Sequence, residues 1–135
     1  MEILASQEDY VIYDDFAHHP TEIFKTLASL RKKIGNDQII ALIEPRSRTM
    51  QSGLHDKEMV KALSPADSVI WYEGQDVKRS MSAELKKAKA EVYFAANISE
   101  IIQITCQIKT TKSNIVIMSN GDFSGLRELI KIELD

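Results

Sequence analysis

The chain has 135 residues, 44% of them hydrophobic, 27% charged and 7% aromatic, and its 17 basic and 20 acidic side chains leave a formal net charge of -3. A chain of this length can bury roughly two thirds of its unfolded surface, so it needs neither disulfide nor metal to fold and has room for a single domain over residues 1–135. The mild acidity, without a basic stripe, speaks against nucleic acid or an anionic membrane surface as partner, and no run approaches the ~20 apolar residues of a membrane span.

Taken in order, the residues Met1 to Ala5 are expected to pair back on Tyr10 to Asp14 across Ser-Gln-Glu-Asp as an antiparallel hairpin at a sheet edge. Tyr10 to Tyr13 is the first of five short apolar runs, followed by Ile39 to Ile43, Val69 to Tyr72, Val92 to Ala95 and Ile115 to Met118. The runs are continuous rather than alternating, as strands buried on both faces of a parallel sheet are. Between the first two, Pro20 suits a first helical position, and Ile23, Phe24, Leu27, Leu30 and Ile34 make one apolar stripe, predicting a helix over 20–34. Arg31, Lys32 and Lys33 favour the negative end of its dipole, and Gly35 can take a left-handed capping conformation. Shorter helices are expected at Asp56 to Leu63, Ser82 to Lys87 and Ser124 to Lys131. Asn97 with Glu100 forms a capping-box pattern that opens another helix, turning Ile101, Ile104, Thr105 and Ile108 inward and placing Cys106 in the core. The lone cysteine and the absence of a signal peptide in MEILASQEDY point to a reducing, cytoplasmic setting. Trp71 and Tyr72 belong to the core and its rim, Lys86, Lys87 and Lys89 to a solvated face, and His55 has no obvious partner.

The pattern gives an α/β fold: a Rossmann-like, three-layer arrangement with a mostly parallel sheet of about six strands and helices on both faces. Ligands of such folds bind beyond the carboxyl ends of the strands. Four segments fall there: DDFAHHP (Asp14 to Pro20), EPRSRTM (Glu44 to Met50), EGQDVKRS (Glu73 to Ser80) and SNGDFSG (Ser119 to Gly125). In the first, Asp15 can accept two hydrogen bonds from a ribose diol. The plainer reading is that Asp14 or His19 caps the following helix. A metal site from Asp14, Asp15, His18 and His19 is a weaker idea, because neighbours on extended chain point in opposite directions. Arg46 and Arg48 can each grip a carboxylate or phosphate bidentately, against the alternative of a solvated loop. SNGDFSG suits a loop that brings backbone N–H groups to a ligand, or an ordinary turn before the last helix. The five glycines, Gly35, Gly53, Gly74, Gly121 and Gly125, make neither a GxxxxGK[ST] loop nor a GxGxxG fingerprint, so any triphosphate needs a phosphate site from elsewhere.

The runs VIYDDFAHHPTEI, ALIEPRSRTMQSGLH and MSNGDFSGL closely resemble the C-terminal domain of the Mur ligase family, from Ile3 to about Ile130. DDxxHHPTE is specific to a few Mur ligases, and EPRSxTM narrows the match to the branch that takes a ready-made tripeptide. The resemblance implies the third domain of an ATP-dependent ligase, whose partner is a central ATPase domain of the same polypeptide. ATP and magnesium would be bound mainly by that central domain, leaving no catalytic residue and no metal site in this domain and an inactive fragment in isolation. The implied substrates are UDP-N-acetylmuramate and the tripeptide L-Ala-γ-D-Glu-meso-diaminopimelate. By the same resemblance Asp15, with Asp14 beside it, contacts the ATP ribose, and His18 lines the junction near the reacting amine. Arg46 and Arg48 face the incoming substrate, Arg46 as the better carboxylate clamp, and Ser119, Asn120 and Phe123 belong to a substrate-contacting loop. Phe16 stands where the alanine-adding sister enzymes have a tyrosine, and Glu44-Pro-Arg-Ser where they have a histidine-containing loop, both in the direction of a peptide acceptor. The DNPR signature of the tripeptide-synthesising branch is absent, with EGQDVKR in its place. The alternatives are the alanine-adding branch and two unrelated readings. A receiver-type signalling domain lacks an Asp after the third run and a Lys after the last; a metal-dependent hydrolase would rest on the Asp and His cluster.

Overall fold

Each apolar run becomes a strand of one six-stranded sheet in the computed structural model, which describes residues 1–45, 56–74 and 81–134. The strands are β1 (Glu2–Ser6), β2 (Tyr10–Asp15), β3 (Gln38–Ile43), β4 (Ser68–Tyr72), β5 (Glu91–Ala95) and β6 (Ser113–Met118). The helices are α1 (Pro20–Ile34), α2 (Asp56–Ala62), α3 (Ser82–Leu85), α4 (Ile98–Ile108) and α5 (Leu126–Glu133), with a 3-10 turn over Phe123–Gly125 before the last. The spatial order is β1-β2-β6-β3-β4-β5; only β1 runs antiparallel to its neighbour. The expected hairpin is therefore present, with a bulge between Ile3 and Ala5.

Period-two alternation assigns the strand side chains to two layers. Ile39, Ala41 and Ile43 of β3 pack with Ile23, Leu27 and Leu30 of α1 and Met59 and Ala62 of α2. Ile40 and Leu42 of the same strand pack on the other face with Ile101 of α4 and Leu126 and Ile130 of α5. This is why the runs carry no polar alternation: both faces of β3 and β6 are covered, and each fully buried Ile or Leu contributes roughly 1.5–3 kcal/mol. Trp71 is fully buried on the α1 side.

Local signals placed the ends of the 20–34 helix and the start of α4, whereas the last helix runs Leu126–Glu133 because Phe123 to Gly125 have positive φ, and α3 ends at Leu85. Pro20 opens α1, and the Asn97 carboxamide accepts from the Glu100 N–H at 2.9 Å, while the Glu100 carboxylate accepts from the Ala96 N–H at 3.0 Å. Gly35 has the positive φ expected of it (68°), but with ψ at -122° it lies outside the left-handed capping region, in backbone that suits glycine alone. His19 occupies the cap position of α1 without a side-chain cap bond, so the capping reading of that imidazole fails. Arg31 does more than face a dipole. It donates to the carbonyls of Gly35, Asp37 and Pro65 and pairs with Asp67 at 2.7 Å, tying the end of α1 to the starts of β3 and β4.

Two side chains differ from their expected places. Cys106 is exposed, because Thr105 takes the inward position one helical turn after Ile101 and the next residue is rotated about 100° away. Phe24, at the margin of the α1 stripe, is 45% exposed. Among the described residues no helix is long and apolar enough to cross a membrane.

Candidate functional site

Parallel pairing brings the carboxyl ends of β2, β6, β3 and β4 to one edge. Asp15, Met118 and Ile43 stand in register across three adjacent strands, and Trp71 continues the row. Two backbone bonds extend the sheet one step further: the Ser119 N–H donates to the Asp15 carbonyl at 3.2 Å, and the Glu44 N–H to the Met118 carbonyl at 3.1 Å. Three of the four polar segments singled out in the sequence thus begin side by side because the strands before them are in register.

The two aspartates have different tasks. Asp14 is paired with Arg127 of α5 at 2.7 Å, both side chains 19% exposed. The same guanidinium donates to the carbonyls of Gly121 at 2.9 Å, Asp122 at 3.1 Å and, more weakly, Ser119 at 3.5 Å. Asp14 is thus part of a clamp that fixes the loop after β6, and the expectation that it joins Asp15 at a ribose is set beside a carboxylate already engaged. Asp15 accepts from the Ala17 N–H at 2.8 Å through one oxygen and from the Thr26 hydroxyl at 3.3 Å through the other. An ionised carboxylate has about four acceptor positions, so two bonds orient Asp15 without exhausting it.

The His18 ring donates from Nδ1 to the Phe16 carbonyl at 2.9 Å, which leaves Nε2 as the lone-pair nitrogen of the neutral ring. His18 and His19 lie ring against ring at 4.5 Å, and Glu22 is 3.9 Å from His18. Among the described residues no three His, Cys, Asp or Glu side chains gather as a metal site. Between Asp15 and Ala17 the ring of Phe16 is 74% exposed, an apolar surface at the rim of the edge.

On the β6 side, Ser119 is fully buried: its hydroxyl donates to the Glu44 carboxylate and accepts from the Gly121 N–H at 3.0 Å. Asn120 is exposed. Phe123 is fully buried and lies 5.5 Å, ring to ring, from Tyr72, so it is a packing group that supports the loop and not part of its surface. Phe123, Ser124 and Gly125 all have positive φ (53°, 50° and 77°), a run that non-glycine residues adopt at a cost of order 1–3 kcal/mol each. The Arg127 clamp and the Phe123–Tyr72 contact hold that turn in place. Tyr72 also covers Gly74, where a Cβ would meet the Tyr72 hydroxyl at 2.5 Å. Glu73 accepts from the Met81 N–H at 2.7 Å and anchors the start of α3. Arg46, Arg48, His55 and most of EGQDVKRS lie outside the described residues.

Sequence reasoning missed Arg127 and the Glu44–Ser119 pair. Their partners are 113 and 75 residues away along the chain, and no local pattern announces them.

The sequence model of one family, described as Mur ligase, glutamate ligase domain, matches residues 1–121. The UDP-N-acetylmuramate--L-alanyl-gamma-D-glutamyl-meso-2,6-diaminoheptandioate ligase of Haemophilus influenzae is 32% identical over 131 residues, covering 96% of this chain and 29% of that protein. A murein peptide ligase from Psychrobacter arcticus superposes with a TM-score of 0.88 at 32% identity, over 99% of this chain and 29% of that one. A crystallised domain described as coming from a UDP-N-acetylmuramate:L-alanyl-gamma-D-glutamyl-diaminopimelate ligase of Haemophilus ducreyi gives a TM-score of 0.83 at 32% identity, over 99% and 98% of the two chains. This chain therefore spans 29% of the length of the curated Haemophilus influenzae relative.

Proposed function

The chain belongs to the Mur ligase family, as its glutamate ligase domain, and from that premise we propose that it is the C-terminal domain of an ATP-dependent ligase joining L-Ala-γ-D-Glu-meso-diaminopimelate to UDP-N-acetylmuramate. The observation that supports the reading best is the in-register edge, where Asp15, Ser119 and Glu44 close three neighbouring strands in a row. An edge built from three neighbouring strands suits a surface that closes onto another domain.

Residues 1–135 act as one domain, with the UDP-sugar and ATPase domains supplied by the longer polypeptide in the cytoplasm. ATP supplies the phosphoryl group that activates the sugar-linked carboxylate for attack by the incoming amine. This domain contributes orientation and exclusion of water. Asp15, held by Ala17 and Thr26 with acceptor capacity to spare, receives the ribose hydroxyls of the nucleotide. His18 lines the junction, with Nε2 left by its Phe16 bond as the nitrogen able to accept from the reacting amine. The exposed Phe16 ring gives the closing surface an apolar face. Arg46 and Arg48 pair with peptide carboxylates, Arg46 first, and the clamped loop borders the peptide at the exposed Asn120, with the buried Ser119 and Phe123 holding it from beneath. Magnesium and the phosphates belong to the central domain, and the domain alone has no ligase activity.

An NMR titration of the isotope-labelled chain with the tripeptide, L-alanine and ADP tests this. The expected result is shifts at Ser119 to Gly125 and Arg46 to Met50 with tripeptide only. No shift at millimolar tripeptide, or equal shifts with L-alanine, would remove the peptide-acceptor reading.

A further inference from the structure

Glu44 is the outlier among the carboxylates of the functional edge. It sits one residue beyond β3, with 5% of its surface exposed. One oxygen accepts from the Ser119 hydroxyl, and among the described residues the other has no hydrogen-bond or ion-pair partner. Its two neighbours on the edge differ: Asp14 is neutralised by Arg127, and Asp15 has a donor on each oxygen. Leaving a buried carboxylate oxygen without a donor is costly, and such a group calls for an explanation.

The Ser119 bond supplies half of one. The relay from the Gly121 N–H through the Ser119 hydroxyl to Glu44 fixes the carboxylate's orientation and consumes only one oxygen. A purely structural link between β3 and the loop after β6 would be served as well by a neutral amide, which would spare the cost of burying a charge. The second oxygen therefore fits a cationic donor brought from outside the chain. The acceptor chemistry proposed above includes such a donor, since a peptide of alanine, glutamate and diaminopimelate carries primary ammonium groups. We infer that Glu44 is a specificity-determining residue whose second carboxylate oxygen accepts an ammonium group of the incoming peptide, while Ser119 holds it in place. The inference rests on the proposed function and adds to it a residue that reads positive charge, beside the two arginines proposed there for the peptide carboxylates.

The test uses this chain, whose Haemophilus ducreyi counterpart was crystallised as a domain of the same extent. The Gly121 amide, one hydrogen bond from Ser119, reports by NMR on titration with the tripeptide and with the same peptide acetylated on both amines. The expected result is at least about tenfold weaker binding of the acetylated peptide, equivalent to ~1.4 kcal/mol, and loss of that preference in Glu44→Gln, which keeps the side chain's shape and an acceptor for Ser119. Peptides blocked singly, at alanine or at diaminopimelate, identify which ammonium is read. An unchanged preference in a folded Glu44→Gln chain, or equal binding of free and acetylated peptide, overturns the inference and leaves the proposed function standing. Absence of any peptide-induced shift in either chain overturns both.

Discussion

Replacing Arg127 by methionine removes a guanidinium that holds Asp14 at 2.7 Å and the Gly121 and Asp122 carbonyls at 2.9 and 3.1 Å, while keeping an unbranched side chain of similar length. Hydrogen bonds to a charged group contribute ~1.5–3 kcal/mol and neutral ones ~0.5–1.5 kcal/mol. The pair is about one-fifth exposed, so solvent recovers part of the loss; the three contacts share one side chain and do not add fully. The net expectation is a loss of about 2–4 kcal/mol. For a domain of this size that corresponds to a fall in Tm of roughly 6–15 °C. Urea denaturation of wild type, Arg127→Met, Asp14→Asn and the double variant measures it, with an expected coupling of about 1–2 kcal/mol between the two positions. Hydrogen exchange should quicken first at Gly121 to Gly125, where three residues with positive φ depend on the clamp. A loss below ~0.5 kcal/mol with no coupling would show that the loop is held by its own packing, through Phe123 and Tyr72, and that the clamp is ornamental.

Three further expectations follow from particular residues. Gly35→Ala should cost about 1–2 kcal/mol by chemical denaturation although a Cβ there would touch nothing within 4 Å, because φ of 68° with ψ of -122° is strained for any L side chain; an unchanged midpoint would contradict that backbone assignment. Cys106→Ser should leave stability within ~0.5 kcal/mol, and the native thiol should be alkylated without unfolding; a thiol protected until the chain unfolds would restore the buried position expected from the sequence. Burial raises the Tyr13 phenol above its ordinary 10.0, and burial together with the neighbouring Glu91 raises that of Tyr93. The unfolded chain then ionises first as pH climbs past 10, so the stabilisation is complete below that pH and is lost on rising through the folded-state values; a denaturation midpoint that is flat from pH 9 to 11 would refute it.

The central strands were legible because both faces of β3 and β6 are covered, so Ile39 to Ile43 and Ile115 to Met118 are apolar at every position and the runs need no alternation to be found. The functional edge was legible for a related reason: parallel strands put all their carboxyl ends together, so the polar segments after them had to converge. What escaped were pairings whose evidence lies far along the chain. Asp14 carries a charge that reads locally as a ligand, and only the fold reveals Arg127 beside it. Glu44 reads as the first residue of a loop, and only the fold buries it against Ser119. Cys106 and Phe24 were misplaced at the margins of helical stripes, where a rotation of one residue turns a side chain from core to solvent.

The most direct test of the account is a crystal structure of this chain with the tripeptide bound. The account predicts peptide density along the edge formed by Asp15, Glu44 and the Ser119 to Asp122 loop, with an ammonium nitrogen within hydrogen-bond distance of Glu44. Density instead in the polar cleft at the opposite end of the sheet, lined by Gln7, Asp9, Asp37 and Lys112, would contradict it.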